Sequence, residues 1–118
     1  MNDANFWAVL DTLMADAEVV VERPAGSAHS RFPDTRYPLD YGSLCGTTSG
    51  DSAEIDVFLG HPDARAVTGV VATVDARKRD TELKLLLDCT PEQMQTVQAF
   101  LSWPGSFGCV VLPRPVPA

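Results

Sequence analysis

Apolar positions recur at Phe6, Leu10, Leu13, Met14 and Ala17, with Asp and Asn around the first turn, and this stripe predicts an amphipathic helix. Val-rich residues 18–22 read as a strand. Residues 23–34 carry Pro24, Gly26, Ser27, Ser30 and Pro33 and predict a loop. Ile55–Leu59 alternates as a short strand does and is closed by Gly60-His61-Pro62. Residues 67–74 and 81–87 are β-rich runs on either side of a charged turn, the pattern of a hairpin. Thr90-Pro91-Glu92-Gln93 is a capping-box signature with Pro at the first helical position. Met94, Val97 and Leu101 continue that helix to about Trp103. Residues 109–112 predict a last strand, and the Pro-rich residues 113–118 a loose tail. The sum is an α+β domain: a small OB-like β-barrel or curled sheet with a helix near each terminus.

Size and charge narrow the functional classes. A chain of 118 residues implies one domain, spanning 1–118, with a real core. The formal net charge of −7 argues against a nucleic-acid binder, which needs a basic face. A phosphate ligand remains compatible, because local charge and any bound metal decide that. Cys45, Cys89 and Cys109 are odd in number, widely spaced and form no C-x-x-C pair, so neither a zinc site nor a disulfide framework is indicated. Buried reduced thiols in the cytoplasm are the expectation. The first residues lack a basic leader pattern, and no apolar run could span a bilayer. A soluble cytoplasmic protein is expected.

The chemistry concentrates in four aspartates. Asp51 and Asp56 stand five residues apart, as do Asp75 and Asp80. Carboxylates brought together repel unless protons or cations intervene, and Mg²⁺ is the usual oxygen-seeking answer. Arg77, Lys78 and Arg79 between the second pair suggest an anionic ligand. A plainer reading stands beside this one. Asp is common at turns, a basic tripeptide is often a solvated turn, and a lone loop histidine such as His29 is usually surface. Tyr37 and Tyr41 read equally well as packing aromatics.

The segment Tyr37-Pro38-Leu39-Asp40-Tyr41-Gly42, followed by Asp51-Ser52-Ala53-Glu54-Ile55-Asp56-Val57, resembles the soluble family I inorganic pyrophosphatases. That family has a Y-P-x-N-Y-G segment leading into D-G-D-P-x-D-V, so Asp51 and Asp56 match its first and last motif aspartates. Its two later metal-binding aspartates match Asp75 and Asp80. Val20-Val21-Glu22-Arg23-Pro24 is similar to its I-E-I-P stretch, whose Glu borders the site. Arg31 stands at the spacing of its phosphate-contacting Lys, and Tyr41 matches its site-lining Tyr. The resemblance implies metal ligands Asp51, Asp56, Asp75 and Asp80, with Asp51 and Asp56 catalytic. It implies Glu22, Arg31, Tyr41 and the nearby Lys84 around the anion, Mg²⁺ as cofactor, pyrophosphate or a similar phosphate anion as substrate, and a homo-oligomer. The implied activity is Mg²⁺-dependent hydrolysis of pyrophosphate to phosphate by metal-activated water.

This chain departs from the pattern at defined places. Ala53 stands where the family has its middle motif Asp, a metal ligand and the favoured general base. The segment between Arg31 and Tyr37 is shortened, Glu82 replaces a Lys, and Trp103-Pro104 falls where a Tyr-Lys phosphate contact is expected. These changes carry two alternatives: a metal- or phosphate-binding module with little turnover, and a hydrolase of an organic diphosphate admitted by the trimmed loop.

Overall fold

The structure, a computed structural model, describes residues 3–103 and 105–116. Its elements are α1 (Asp3–Ala15), β1 (Glu18–Arg23), β2 (Asp40–Cys45), β3 (Ile55–Leu59), β4 (Val67–Asp75), β5 (Asp80–Leu87), α2 (Pro91–Phe100) and β6 (Phe107–Pro113). The six strands form one sheet in the order β1-β2-β3-β5-β4-β6. Neighbours pair antiparallel except β3 and β5, which run parallel.

The sheet is open, with β1 and β6 as its edges, and the expected barrel is not closed. Packing supplies the reason. Strand side chains alternate between faces, and each face has its own helix. Trp7, Leu10 and Met14 of α1 cover Leu44, Val57, Val70, Leu85 and Leu87. Met94 and Val97 of α2 cover Phe58, Val71 and Leu86 on the other side. The centre of each face is thereby removed from water without the sheet curling onto itself, while Val20, Val21, Val110 and Leu112 on the edge strands stay exposed.

Leu10, Met14 and Ala17 of the N-terminal stripe are buried as expected, with Leu13 packed against them, and the stripe differs only at its first position. Trp7 is 4% exposed and belongs to the core, whereas Phe6 is 41% exposed and meets Trp7 edge-on. Apolar residues lie all round this helix, so periodicity alone did not separate the two.

Strand β2 was not expected from its sequence. Gly42 and Ser43 interrupt any alternation, and the strand is made by pairing on both sides. Gly42 is required there: a Cβ would run into the Val20 carbonyl oxygen of β1.

Helix α2 follows its sequence signal. The Thr90 hydroxyl accepts the Gln93 amide N–H at 3.2 Å, and the Gln93 side chain accepts the Thr90 N–H at 2.8 Å. The helix ends at Phe100 rather than near Trp103, and β6 begins at Phe107, before residue 109. The tail is partly held. Pro113 is still in β6, the Arg114 N–H reaches the Thr68 carbonyl at 2.9 Å, and its guanidinium grips Asp11 of α1 at 2.7 and 2.8 Å. Residues 117 and 118 of the expected loose tail, and Pro104, lie outside the described residues. Of the three thiols only Cys89 is buried; Cys45 is exposed. Among the described residues no helix is long and apolar enough to cross a membrane.

Candidate functional site

Sheet register assembles the site. Val57 of β3 pairs with Leu85 of β5, so the preceding residues, Asp56 and Lys84, lie side by side. Glu82 is two residues from Lys84 and shares its face. Tyr41 of β2 pairs with Phe58 of β3, which again puts it on this side of the sheet.

Lys84 is the centre. It is 6% exposed, and a buried ammonium must be paired and hydrogen-bonded. Its Nζ donates to Asp56 Oδ2 at 2.9 Å, to Tyr41 Oη at 3.3 Å and to Glu82 Oε2 at 3.4 Å. It also lies 5.6 Å from the centre of the Tyr41 ring. Burial, with the Asp56 carboxylate next in effect, pushes the Tyr41 phenol far above its ordinary range and keeps it protonated. Burial also raises the Glu82 carboxyl. Lys84 opposes this rise and Asp56 adds to it.

The four aspartates do not converge. Asp51 Oδ1 accepts the Ala53 N–H at 3.0 Å and shapes its own turn, where Ser52 takes a φ of 71°. Asp75 Oδ1 accepts the N–H groups of Arg77 and Lys78 at 3.0 and 3.1 Å and fastens the β4–β5 turn. Asp80 is its cross-strand partner at the other end of that turn. The five-residue spacing of Asp75 and Asp80 is thus that of a hairpin, whereas Asp51 lies in the loop before β3 and Asp56 within that strand. Among the described residues no three His, Cys, Asp or Glu side chains form a group that could hold a metal ion. Asp56 already carries an ammonium. As arranged, the residues do not fit a multi-carboxylate Mg²⁺ cage, which needs several oxygens around one point. Glu54, next to Ala53, takes the Gly46 N–H at 3.1 Å and the Ser43 hydroxyl at 3.4 Å, and so serves the β2–β3 connection.

A cleft of about 700 Å³ opens over this face. Of the residues named from the sequence, Arg31, Tyr41, Asp75 and Lys84 line it; Glu22, Asp51, Asp56 and Asp80 do not. Asp56 lies behind three lining residues, Lys84, Tyr41 and Glu82. Glu22 lies near enough to Tyr37 to act weakly on its phenol.

Lys78, whose charge suggests an anionic ligand, lines the cleft, as do Glu82 and Trp103; the lining residues that sequence reasoning does not place in a site are His29, Phe32, Tyr37, Phe100 and Phe107. Sequence alone makes His29 a surface residue and Tyr37 a packing aromatic. The loop that carries His29 and Phe32 is itself a small hairpin. The Gly26 N–H reaches the Tyr37 carbonyl at 2.8 Å, the Tyr37 N–H reaches the Ser27 carbonyl at 3.0 Å, and Ala28 bridges to Arg36. The signal that was available is the density of rings between Phe32 and Phe58 and again between Phe100 and Phe107.

The fold is similar to known ones. It matches an inorganic pyrophosphatase from Neisseria gonorrhoeae with a TM-score of 0.62, at 21% sequence identity over 80% of each chain. It matches one from Helicobacter pylori with a TM-score of 0.59, at 16% identity over 84% of each chain. A third, from Coxiella burnetii, gives a TM-score of 0.60 at 16% identity, covering 80% of this chain and 82% of the other. At these identities the likeness is one of fold. No protein-family model matches the chain, and no curated protein matches it.

Proposed function

We propose that this chain is a phosphate-binding protein on a pyrophosphatase-like fold, with little or no Mg²⁺-dependent turnover of pyrophosphate. The observation that carries this reading is the Lys84 ammonium at 2.9 Å from Asp56. A divalent cation at Asp56 must first displace a buried, hydrogen-bonded ammonium, which leaves that charge without its partner. The internal cation therefore does the neutralising that a metal would otherwise do.

The cleft keeps groups suited to an anion. Among the described residues neither Arg31 nor Lys78 has a carboxylate within ion-pair distance, so both are available to phosphate oxygens. Tyr41 keeps its proton and directs it to the Asp56 carboxylate, which holds the ring in place on the floor of the cleft. Calorimetric titration with pyrophosphate, alongside a phosphate-release assay with Mg²⁺ and with Mn²⁺, tests the reading. Binding without release is expected; robust release would overturn it.

A second reading is the Mg²⁺-dependent hydrolysis of inorganic pyrophosphate, with Asp51, Asp56, Asp75 and Asp80 as metal ligands. The pyrophosphatase fold and the close Asp56–Glu82 pair favour it. It requires Lys84 to leave Asp56, and the same release assay separates the two.

A further inference from the structure

We infer that the cleft takes a nucleotide, a phosphate carried on a flat heteroaromatic ring, in preference to bare pyrophosphate. The inference rests on the phosphate-binding reading above and adds the substrate class.

The cleft lining has two chemically different parts. One is charged, with the cations Lys84, Lys78 and Arg31 beside the carboxylates of Asp75 and Glu82, of which Glu82 is paired with Lys84. The other is aromatic. Phe32 and Trp103 line it while 45% and 39% exposed, a large apolar surface left open in a concavity. Trp103 is backed by Phe107, stacked at 4.6 Å with planes 13° apart, and Phe32 stands edge-on to Trp103 at 6.1 Å and 74°. The Trp103 ring is thus supported from behind, which leaves a stiff surface of the kind on which bases stack.

One side chain fixes the loop where the two parts meet in sequence. His29 Nδ1 accepts the N–H of Arg31 at 3.0 Å and the N–H of Phe32 at 3.3 Å. The imidazole is itself stacked on Tyr37 at 5.6 Å with planes 12° apart. The backbone that carries Arg31 and Phe32 is therefore fixed, and it presents a cation and a ring side by side in sequence, one for each half of such a ligand. His29 is a positioning residue here and need not touch the ligand. Size agrees: about 700 Å³ is far more than pyrophosphate fills and falls within the range of cavities that take drug-sized molecules.

The test is calorimetric titration of the whole chain with ADP and with pyrophosphate, for wild type, Trp103→Ala and Phe32→Leu. ADP is expected to bind at least about tenfold more tightly than pyrophosphate. Trp103→Ala should weaken ADP by about tenfold or more and leave pyrophosphate unchanged. If Trp103→Ala fails to fold, Phe32→Leu carries the same comparison with the same expected direction. ADP binding no tighter than pyrophosphate, or equal losses for both ligands in the variants, overturns the nucleotide inference and leaves phosphate binding standing. Binding of neither ligand overturns both.

Discussion

Lys84 Nζ lies 2.9 Å from Asp56 Oδ2, on neighbouring parallel strands. The ammonium is nearly buried, and the side chains of Asp56 and Glu82 remain 26% and 22% exposed. The pair is thus sealed on the lysine side and open on the carboxylate side. This geometry makes the lysine the costly partner to lose or to move.

Replacing Lys84 by Met should expose that cost. The variant leaves Asp56 and Glu82 facing each other without a cation. Since both carboxylates retain some water, destabilisation of about 1–3 kcal/mol is expected, below that of a fully buried pair. The double variant Asp56→Asn/Lys84→Met should recover part of it. Urea unfolding midpoints measure both; a Lys84→Met midpoint equal to wild type would show that the contact is not energetically significant.

Glu82 sets a pH dependence whose sign is fixed. Burial, the dominant effect, raises its carboxyl in the folded chain above the ordinary glutamate value of 4.5. Between those two values the folded state binds more protons than the unfolded one, so stability falls as pH rises through that window. Glu82→Gln removes the penalty. Its melting temperature should exceed that of wild type at neutral pH, with the gap shrinking towards pH 4. A gap that grows on acidification would contradict the assignment.

The thiols should separate by reactivity. Burial pushes the Cys89 thiol up to about 11, whereas Cys45 is exposed. The thiolate is the reactive form, so a maleimide in the native state should modify Cys45 first and Cys89 last. Peptide mapping over a time course reads the order directly, and early labelling of Cys89 would place that residue at an opening the fold does not have.

Gly42 is expected to tolerate no side chain. Gly42→Ala drives a methyl into the Val20 carbonyl and must push β1 from β2, at about 1–3 kcal/mol. Denaturant midpoints check this. A neutral effect would mean that the edge strand moves freely away.

How much of this was legible in the sequence varied by element. Capping chemistry was: Thr90, Pro91 and Gln93 specify α2 locally, and the structure repeats their roles. The β4–β5 hairpin was also legible, because charged residues separate two β-rich runs. Strand β2 was not, since Tyr41-Gly42-Ser43 acquires strand geometry only from partners on either side. The site was half legible. Tyr41, Arg31, Asp75 and Lys84 do meet in one cleft. Their electrostatic arrangement was hidden, because it depends on a parallel register between strands 28 residues apart in sequence at Asp56 and Lys84. An Asp pair at hairpin spacing looks the same whether it caps a turn or awaits a metal. Asp75 caps its turn through backbone contacts that no spacing reveals.

The most direct test of the lysine-centred site is the melting-temperature shift produced by millimolar Mg²⁺ in wild type, Asp56→Asn and Lys84→Met, with the exposed Asp63→Asn as control. A ligand that binds only the folded state raises its melting temperature, so the shift reports the metal site. With Lys84 on Asp56, wild type, Asp56→Asn and Asp63→Asn should show the same small shift. Lys84→Met, which uncovers Asp56 and Glu82, should gain a larger one. A wild-type shift of several degrees that vanishes in Asp56→Asn would contradict the account and restore Asp56 as a metal ligand.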